Sequence, residues 1–274
     1  MHWVGDGFPV RTLFSYSDLG RELSPFLLLD YAGPTEFPPA KTPRGVGKHP
    51  HRGFETVTLV YDGEVAHRDS SGESGVIRPG DVQWMTAGAG ILHDEFHSPE
   101  FTRTGGRLEM VQLWVNLPAR TKLAPPRYQA LSSERIPVVT LPNSAGAARV
   151  IAGELDGHRG PADTHTPMQV WDLRLRANTK ASLPIPEGWS AGLLVLRGTV
   201  RVADQPPLGA AQLAVLDRTG SDVLLEAQSD AIALLISGAP IDEPIVGYGP
   251  FVMNSVRQIQ EAIADFERGE FTRR

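Results

Sequence analysis

Leu59-Val60-Tyr61-Asp62-Gly63-Glu64-Val65 and Leu194-Val195-Leu196-Arg197-Gly198-Thr199-Val200 read as two versions of one turn, 135 residues apart. In each, a run of large apolar residues leads into a glycine, the pattern of a strand entering a tight reversal that favours a residue without Cβ. The match extends backwards without a gap, so that Gly53 lies over Gly188 and Phe54 over Trp189, an aromatic on an aromatic. A chain of 274 residues is long enough for two domains, at roughly 100 to 200 residues each, and the repeat decides in favour of two. The expected domains are residues 1–130 and 140–274, joined through the Pro-, Ser- and Gly-containing stretch between Pro125 and Gly146.

The rest of the chain has the same texture. Its 28 glycines and 23 prolines punctuate short apolar runs at Phe26–Leu29, Thr56–Tyr61, Met110–Leu117 and Leu193–Leu196, which predicts an all-β protein built as two tandem barrels. A single long segment has helical periodicity. Between Ser255 and Glu267, Val256, Ile259, Ile263 and Phe266 fall three or four residues apart, with Ser255 and Gln258 as a capping box and Gly269 as the C-cap. This C-terminal amphipathic helix is expected to dock on a sheet of the second domain.

Composition excludes several functions. A net charge of −6, with no run of Lys or Arg, leaves no electropositive surface for direct nucleic-acid binding. There is no cysteine, so any metal must be held by nitrogen and oxygen ligands. The N-terminus lacks a basic segment followed by an apolar core, and no apolar run approaches the ~18 residues of a membrane span, so a cytoplasmic protein without a membrane anchor is expected.

Chemistry concentrates between Gly45 and His97. Alternate residues of a strand share a face, so His49 and His51 can converge on one point, as can His93 and Glu95. A strand from His49 would carry Gly53, Glu55, Val57 and Leu59 on the same face, and the last two point that face into a core. An unpartnered buried imidazole costs on the order of 1 to 3 kcal/mol, which a shared cation would relieve for both rings. The second cluster follows the turn Arg78-Pro79-Gly80-Asp81, the run Val82–Met85 and the small-residue loop Thr86-Ala87-Gly88-Ala89-Gly90. Its parity separates Ile91, His93 and Glu95 from Leu92, Asp94 and Phe96, leaving Asp94 outside the site. Three imidazoles and one carboxylate suit Fe, Mn, Ni, Cu or Zn. Glu55 and His97 are rival ligands that spacing alone does not exclude. The repeat places Pro184, Pro186 and Ser190 where the first copy has His49, His51 and Glu55, so the second copy has no ligands there. His158 and His165 lack a carboxylate two residues on and are not expected to bind metal.

The motifs His49-Pro50-His51-Arg52-Gly53-Phe54-Glu55-Thr56-Val57, Pro79-Gly80-Asp81-Val82-Gln83-Trp84-Met85-Thr86-Ala87-Gly88 and Gly90-Ile91-Leu92-His93-Asp94-Glu95 resemble the pirin family of bicupins. The likeness continues through Gln112-Leu113-Trp114-Val115-Asn116-Leu117 to Gly249-Pro250-Phe251-Val252-Met253-Asn254, nearly the whole chain. It implies two tandem cupin-type β-barrels with one metal, usually iron, in the first. Family ligand positions map onto His49, His51, His93 and Glu95. Glu55, at the carboxylate place of the general cupin pattern H-x-H-(x)3-E, matches a position that is not a ligand. Asp94 departs from the small residue common there. The implied activity is that of a quercetin 2,3-dioxygenase, opening a flavonol-like enolic ring with O2 on Fe(II), with Mn, Ni, Cu or Zn as other candidates. Glu95 would be the catalytic base that takes the hydroxyl proton. Phe54, Trp84, Met85 and Phe96 are the expected substrate wall. The alternative is a metal-containing, redox-sensitive protein that binds transcription factors or metabolic enzymes without turnover.

Overall fold

The computed structural model describes residues 1–272, which divide into two compact units. The first comprises Met1–Gly20, Phe26–Ser133 and the chain from Ile241 on; the second comprises Arg21–Pro25 and Glu134–Pro240.

In the first unit a seven-stranded antiparallel sheet runs in the order His2–Val4, Phe8–Ser15, Phe26–Phe37, Gly106–Asn116, Phe54–Asp62, Val82–Thr86 and Arg127–Leu131. A four-stranded sheet runs Gly45–His51, Ile91–His97, Val65–Asp69 and Ser74–Ile77. The two sheets face each other across a shared interior, shown by Thr58 Oγ1 donating to Glu95 Oε1 at 3.4 Å and Gln83 Nε2 donating to His67 Nδ1 at 3.3 Å. One end of that interior is apolar and packed with Phe8, Val10, Phe37, Val60, Leu108 and Met110. The other end holds the histidines. The turn seen in the sequence repeat is real in both units, since Gly63 and Gly198 sit at φ of 81° and 83°.

The second unit repeats the plan. Its six-stranded sheet runs Val138–Leu141, Gly146–Ala152, Met168–Leu175, Ala231–Gly238, Ser190–Arg197 and Gln212–Leu216, opposite a three-stranded sheet of Thr179–Pro184, Asp222–Ala227 and Val200–Val202. Where the first unit pairs His49 with His93, the corresponding ladder here pairs Leu183 with Val223 and Pro184 with Asp222. Leu183, Leu193, Val195, Val223, Leu225 and Leu235 join one aliphatic core, so the second interior is filled by packing rather than by ligands.

Two expectations from the sequence need correction. The strand from His49 does not continue to Leu59. It ends at His51, and a new strand begins at Phe54 in the other sheet. Gly53, between them, adopts φ 90° and donates its N–H to Gly88 O at 2.9 Å; a Cβ there would lie 2.0 Å from Val252 O. The break shifts the parity of the following strand. Thr58 therefore faces Glu95, while Glu55 turns to the opposite side and accepts from Thr86 Oγ1 at 2.6 Å.

The second correction concerns the tail. Helix Val256–Glu267 forms as expected, with Ser255 Oγ accepting from Gln258 N at 3.3 Å, but it belongs to the first unit rather than to residues 140–274. Ile259 and Ala262 pack with Phe251, Met253 and Phe271. Two buried basic side chains fasten this segment. Arg52, next to His51 in sequence, pairs with Asp265 at 2.9 Å, donates to Ala89 O at 2.6 Å and lies 4.4 Å from the Phe271 ring centroid. Lys122 Nζ donates to Gly53 O at 2.7 Å, Asn116 Oδ1 at 2.6 Å and Val252 O at 2.8 Å, and burial pushes its pKa down to about 7. Contiguity in sequence suggested the second domain, but these long-range polar contacts decide for the first. Removing one partner of a buried ion pair strands the other charge, so Asp265→Ala is expected to cost about 3 to 5 kcal/mol of stability in urea unfolding.

Candidate metal centre

The ladder between Gly45–His51 and Ile91–His97 places His49 directly opposite His93. Their ring centroids are 4.3 Å apart, and His51 lies 4.8 Å from His49 and 4.9 Å from His93. The burial of Ile91–His97 alternates strictly, with His93 and Glu95 buried and Asp94 half-buried on the other face, paired to Arg68 at 3.3 Å. His49, His51 and His93 bring ligand nitrogens within 4.8 Å of one another, and so do the ligand atoms of His67, His93 and Glu95. The two groups share His93.

The hydrogen bonds show which atoms are left for a ligand. His49 Nδ1 lies 2.9 Å from Gly47 O, a contact that makes Nδ1 the donor and leaves Nε2 with its lone pair. His51 Nδ1 and His93 Nε2 are buried and have no protein partner. Glu95 receives Gln112 Nε2 at 3.1 Å and Thr58 Oγ1 at 3.4 Å, both on a carboxylate only 4% exposed. Burial, reinforced by neighbouring His49, holds the His51 pKa down to about 3. Burial also pushes His93 well below 6.5, with His51, His49 and His67 adding repulsion. Rings kept neutral retain their lone pairs, and ligand nitrogens of His49, His51 and His93 within 4.8 Å of one another can share one cation. The residues present therefore fit a divalent transition metal.

The other sequence candidates separate cleanly. Glu55 faces away from the histidines, bonded to Thr86. His97 shares a face with Glu95 but lies among Phe8, Phe37 and Phe101, with Nε2 2.9 Å from Gly7 O. Neither joins a metal-capable group among the described residues, and nor do His158 and His165. Of the expected substrate wall, Phe54 stands 5.2 Å from the His51 ring, and Met85 shares the inward face of its strand with Gln83. Trp84 and Phe96 do not reach the site. Trp84 pairs with Val57 on the far face of the sheet, and Phe96 pairs with Ala66 opposite the His67–Glu95 face.

Three residues were missed in the sequence. His67 is 1% exposed and contacts His93; its signal was His67-Arg68-Asp69, an H-x-D spacing that starts four residues after the turn glycine Gly63. Gln112 holds Glu95, and Trp114, two residues on, lies 5.4 Å from the His51 ring and 4.3 Å from Phe54. Their spacing on one strand was visible but carried no indication of which face was inward.

Models of the pirin family match residues 7–115, and those of the pirin C-terminal cupin domain match residues 170–272. The chain belongs to the pirin family. It is 60% identical to a Pseudomonas aeruginosa protein whose name provisionally assigns quercetin 2,3-dioxygenase activity, over 99% of this chain and 95% of that one. Human pirin is 39% identical, over 97% of this chain and 89% of its own length. The crystal structure of quercetin 2,3-dioxygenase from Acinetobacter baumannii superposes with a TM-score of 0.96 at 55% identity, covering 99% of this chain and 94% of that one. The protein thus has the two cupin domains of this family and a C-terminal helix, the family's C-terminal match taking in the tail that packs on the first unit. Among the described residues no helix is long and apolar enough to cross a membrane.

The depressed histidines have a consequence for the metal-free protein. The unfolded chain binds protons on these rings below pH 6.5 that the folded state refuses until about pH 3 at His51. Their contribution is complete above pH 6.5 and is lost as pH falls through that window, at about 1.4 kcal/mol per pH unit for each ring. The urea midpoint of the metal-free protein should fall on acidification, and His51→Phe, which has no proton to take up, should show a shallower slope.

Proposed function

We propose that this chain is a metal-dependent dioxygenase of the quercetinase type, most simply an Fe(II) enzyme, that cleaves a flavonol-like enolic substrate with O2. The observation that carries the reading is the pair of orphaned buried nitrogens, His51 Nδ1 and His93 Nε2, beside a buried carboxylate that accepts only neutral donors. An ion held by His49, His51, His93 and Glu95 would supply Lewis acidity toward an enolic hydroxyl and a redox couple for O2.

The chain's own residues do the remaining work. Glu95 takes the hydroxyl proton. Gln112 Nε2 and Thr58 Oγ1 fix the carboxylate's orientation and hold its charge in a buried setting. The cavity behind Glu95, lined by Phe8, Val10, Ala32 and Met110, is about 20 Å³, room for one water-sized molecule. A ring-sized substrate must therefore come from the side where His49 and Trp114 are half-buried. There the half-buried Trp114 offers an aromatic surface beside His51 for a planar molecule, backed by the buried Phe54, while Met85 packs with Ala87 and Ile91. The names of the Pseudomonas and Acinetobacter relatives support the same assignment.

Iron-loaded protein should remove the flavonol absorbance and consume O2 together, and His93→Ala should abolish both along with metal uptake. Trp114→Ala should raise KM while leaving metal content unchanged. Iron-loaded protein that gives neither absorbance loss nor O2 uptake would remove the enzymatic reading. It would leave a metal-containing binding protein, whose partner affinity would follow the oxidation state of the ion.

A further inference from the structure

We infer that His67 is a positioning residue: through a hydrogen-bonded chain that starts at Asp69, it sets the tautomer of His93 and aims the free nitrogen of His93 at the metal. The inference rests on the metal-centre reading above.

The chain can be followed one proton at a time. Asp69 is held by the turn after its strand, where Oδ1 accepts from Ser71 N at 2.8 Å, Ser71 Oγ at 2.6 Å and Glu73 N at 3.2 Å. A carboxylate oxygen that takes three donors is an acceptor throughout, so Oδ2, 3.1 Å from His67 Nε2, accepts a proton from that nitrogen. Both side chains are fully buried. With its proton on Nε2, the His67 ring leaves Nδ1 as an acceptor, and Gln83 Nε2 donates to it at 3.3 Å. The remaining neighbour of His67 Nδ1 is His93 Nδ1 at 3.4 Å. The lone pair of His67 Nδ1 is shared between Gln83 Nε2 and His93 Nδ1, and an unprotonated His93 Nδ1 would set two lone pairs against each other at 3.4 Å, so the proton of His93 lies on Nδ1. Its Nε2 then holds the lone pair, and this is the atom left buried without a protein partner.

Geometry is fixed by the same contacts. His67 stacks on Tyr128, with ring centroids 5.1 Å apart and planes 20° from parallel, so the imidazole cannot swing out of the chain. The sheet register places His67 beside Glu95 and Asp69 beside His93, so the relay is built into the strand pairing that brings the ligands together. Partners of this kind typically change metal affinity about 10- to 100-fold when removed.

A packing role and a positioning role order two substitutions oppositely. His67→Phe keeps a ring against Tyr128 but offers His93 no acceptor; His67→Gln loses the ring but offers an amide oxygen. Titration of the metal-free proteins with Co(II), read by visible absorption, should show His67→Phe weakened about 10- to 100-fold with an altered spectrum. His67→Gln should bind as the wild type does. Equal affinity in wild type and His67→Phe, or a loss in His67→Gln as large as in His67→Phe, would overturn the inference. Nitrogen-15 NMR of the wild-type metal-free protein needs no variant to fold: His93 as the Nδ1–H tautomer and His67 as Nε2–H support the chain, and His93 protonated at Nε2 overturns it. Wild type that takes up no Co(II) contradicts the metal centre itself, an outcome separate from the order of the variants.

Discussion

The first unit depends on a constraint that packing alone does not satisfy: neutral imidazoles in a barrel interior, with lone pairs that no protein donor meets. Leaving one such nitrogen bare costs on the order of 1 to 3 kcal/mol, and here His51 Nδ1 and His93 Nε2 lie bare together. The surrounding architecture maintains this arrangement. The ladder sets His49 against His93, Gly47 and His67 take the outward nitrogens, and Gln112 and Thr58 hold Glu95. A folded state that accepts such a cost at two of four converging side chains is organised for a ligand that repays it.

The second unit shows the same fold released from that constraint. Pro184 opposite Asp222 holds the ladder position of His49 opposite His93, and aliphatic packing from Leu183, Val223 and their neighbours fills the interior. The turn glycines persist at nearly identical φ because the backbone reversal needs them whether or not a ligand is present. Duplication therefore preserved what the chain path requires and discarded what only the chemistry required. The tail adds a dependence across sequence, since Asp265 neutralises Arg52, the residue after His51, and Val252 O and Gly53 O share Lys122.

Much of this was readable in the chain because period and parity are local properties. The repeat, the terminal helix stripe and the His93–Glu95 face all rest on neighbours within a few residues. Parity fails where one residue changes the count. Gly53 breaks the strand after His51, so the parity carried forward from His49 assigned Glu55 to the interior and missed the inward turn of Thr58. Trp84 and Phe96 have the chemistry of a substrate wall, but the register turns both away from the histidines. His67, Gln112 and Trp114 became visible only once two sheets were brought face to face, a long-range fact that no local pattern encodes. The placement of the tail on the first unit has the same origin, in the buried pairing of residues more than two hundred positions apart, Arg52 and Asp265.

The central claim is that the first barrel alone is built around one metal ion and the second around none. Elemental analysis of the full chain after anaerobic loading with Fe(II) and removal of free metal tests it most directly. One ion per chain in the wild type, falling to none when His51 and His93 are both replaced by alanine, is the predicted result. A wild type with no bound ion, or an ion that survives the double replacement, would contradict it.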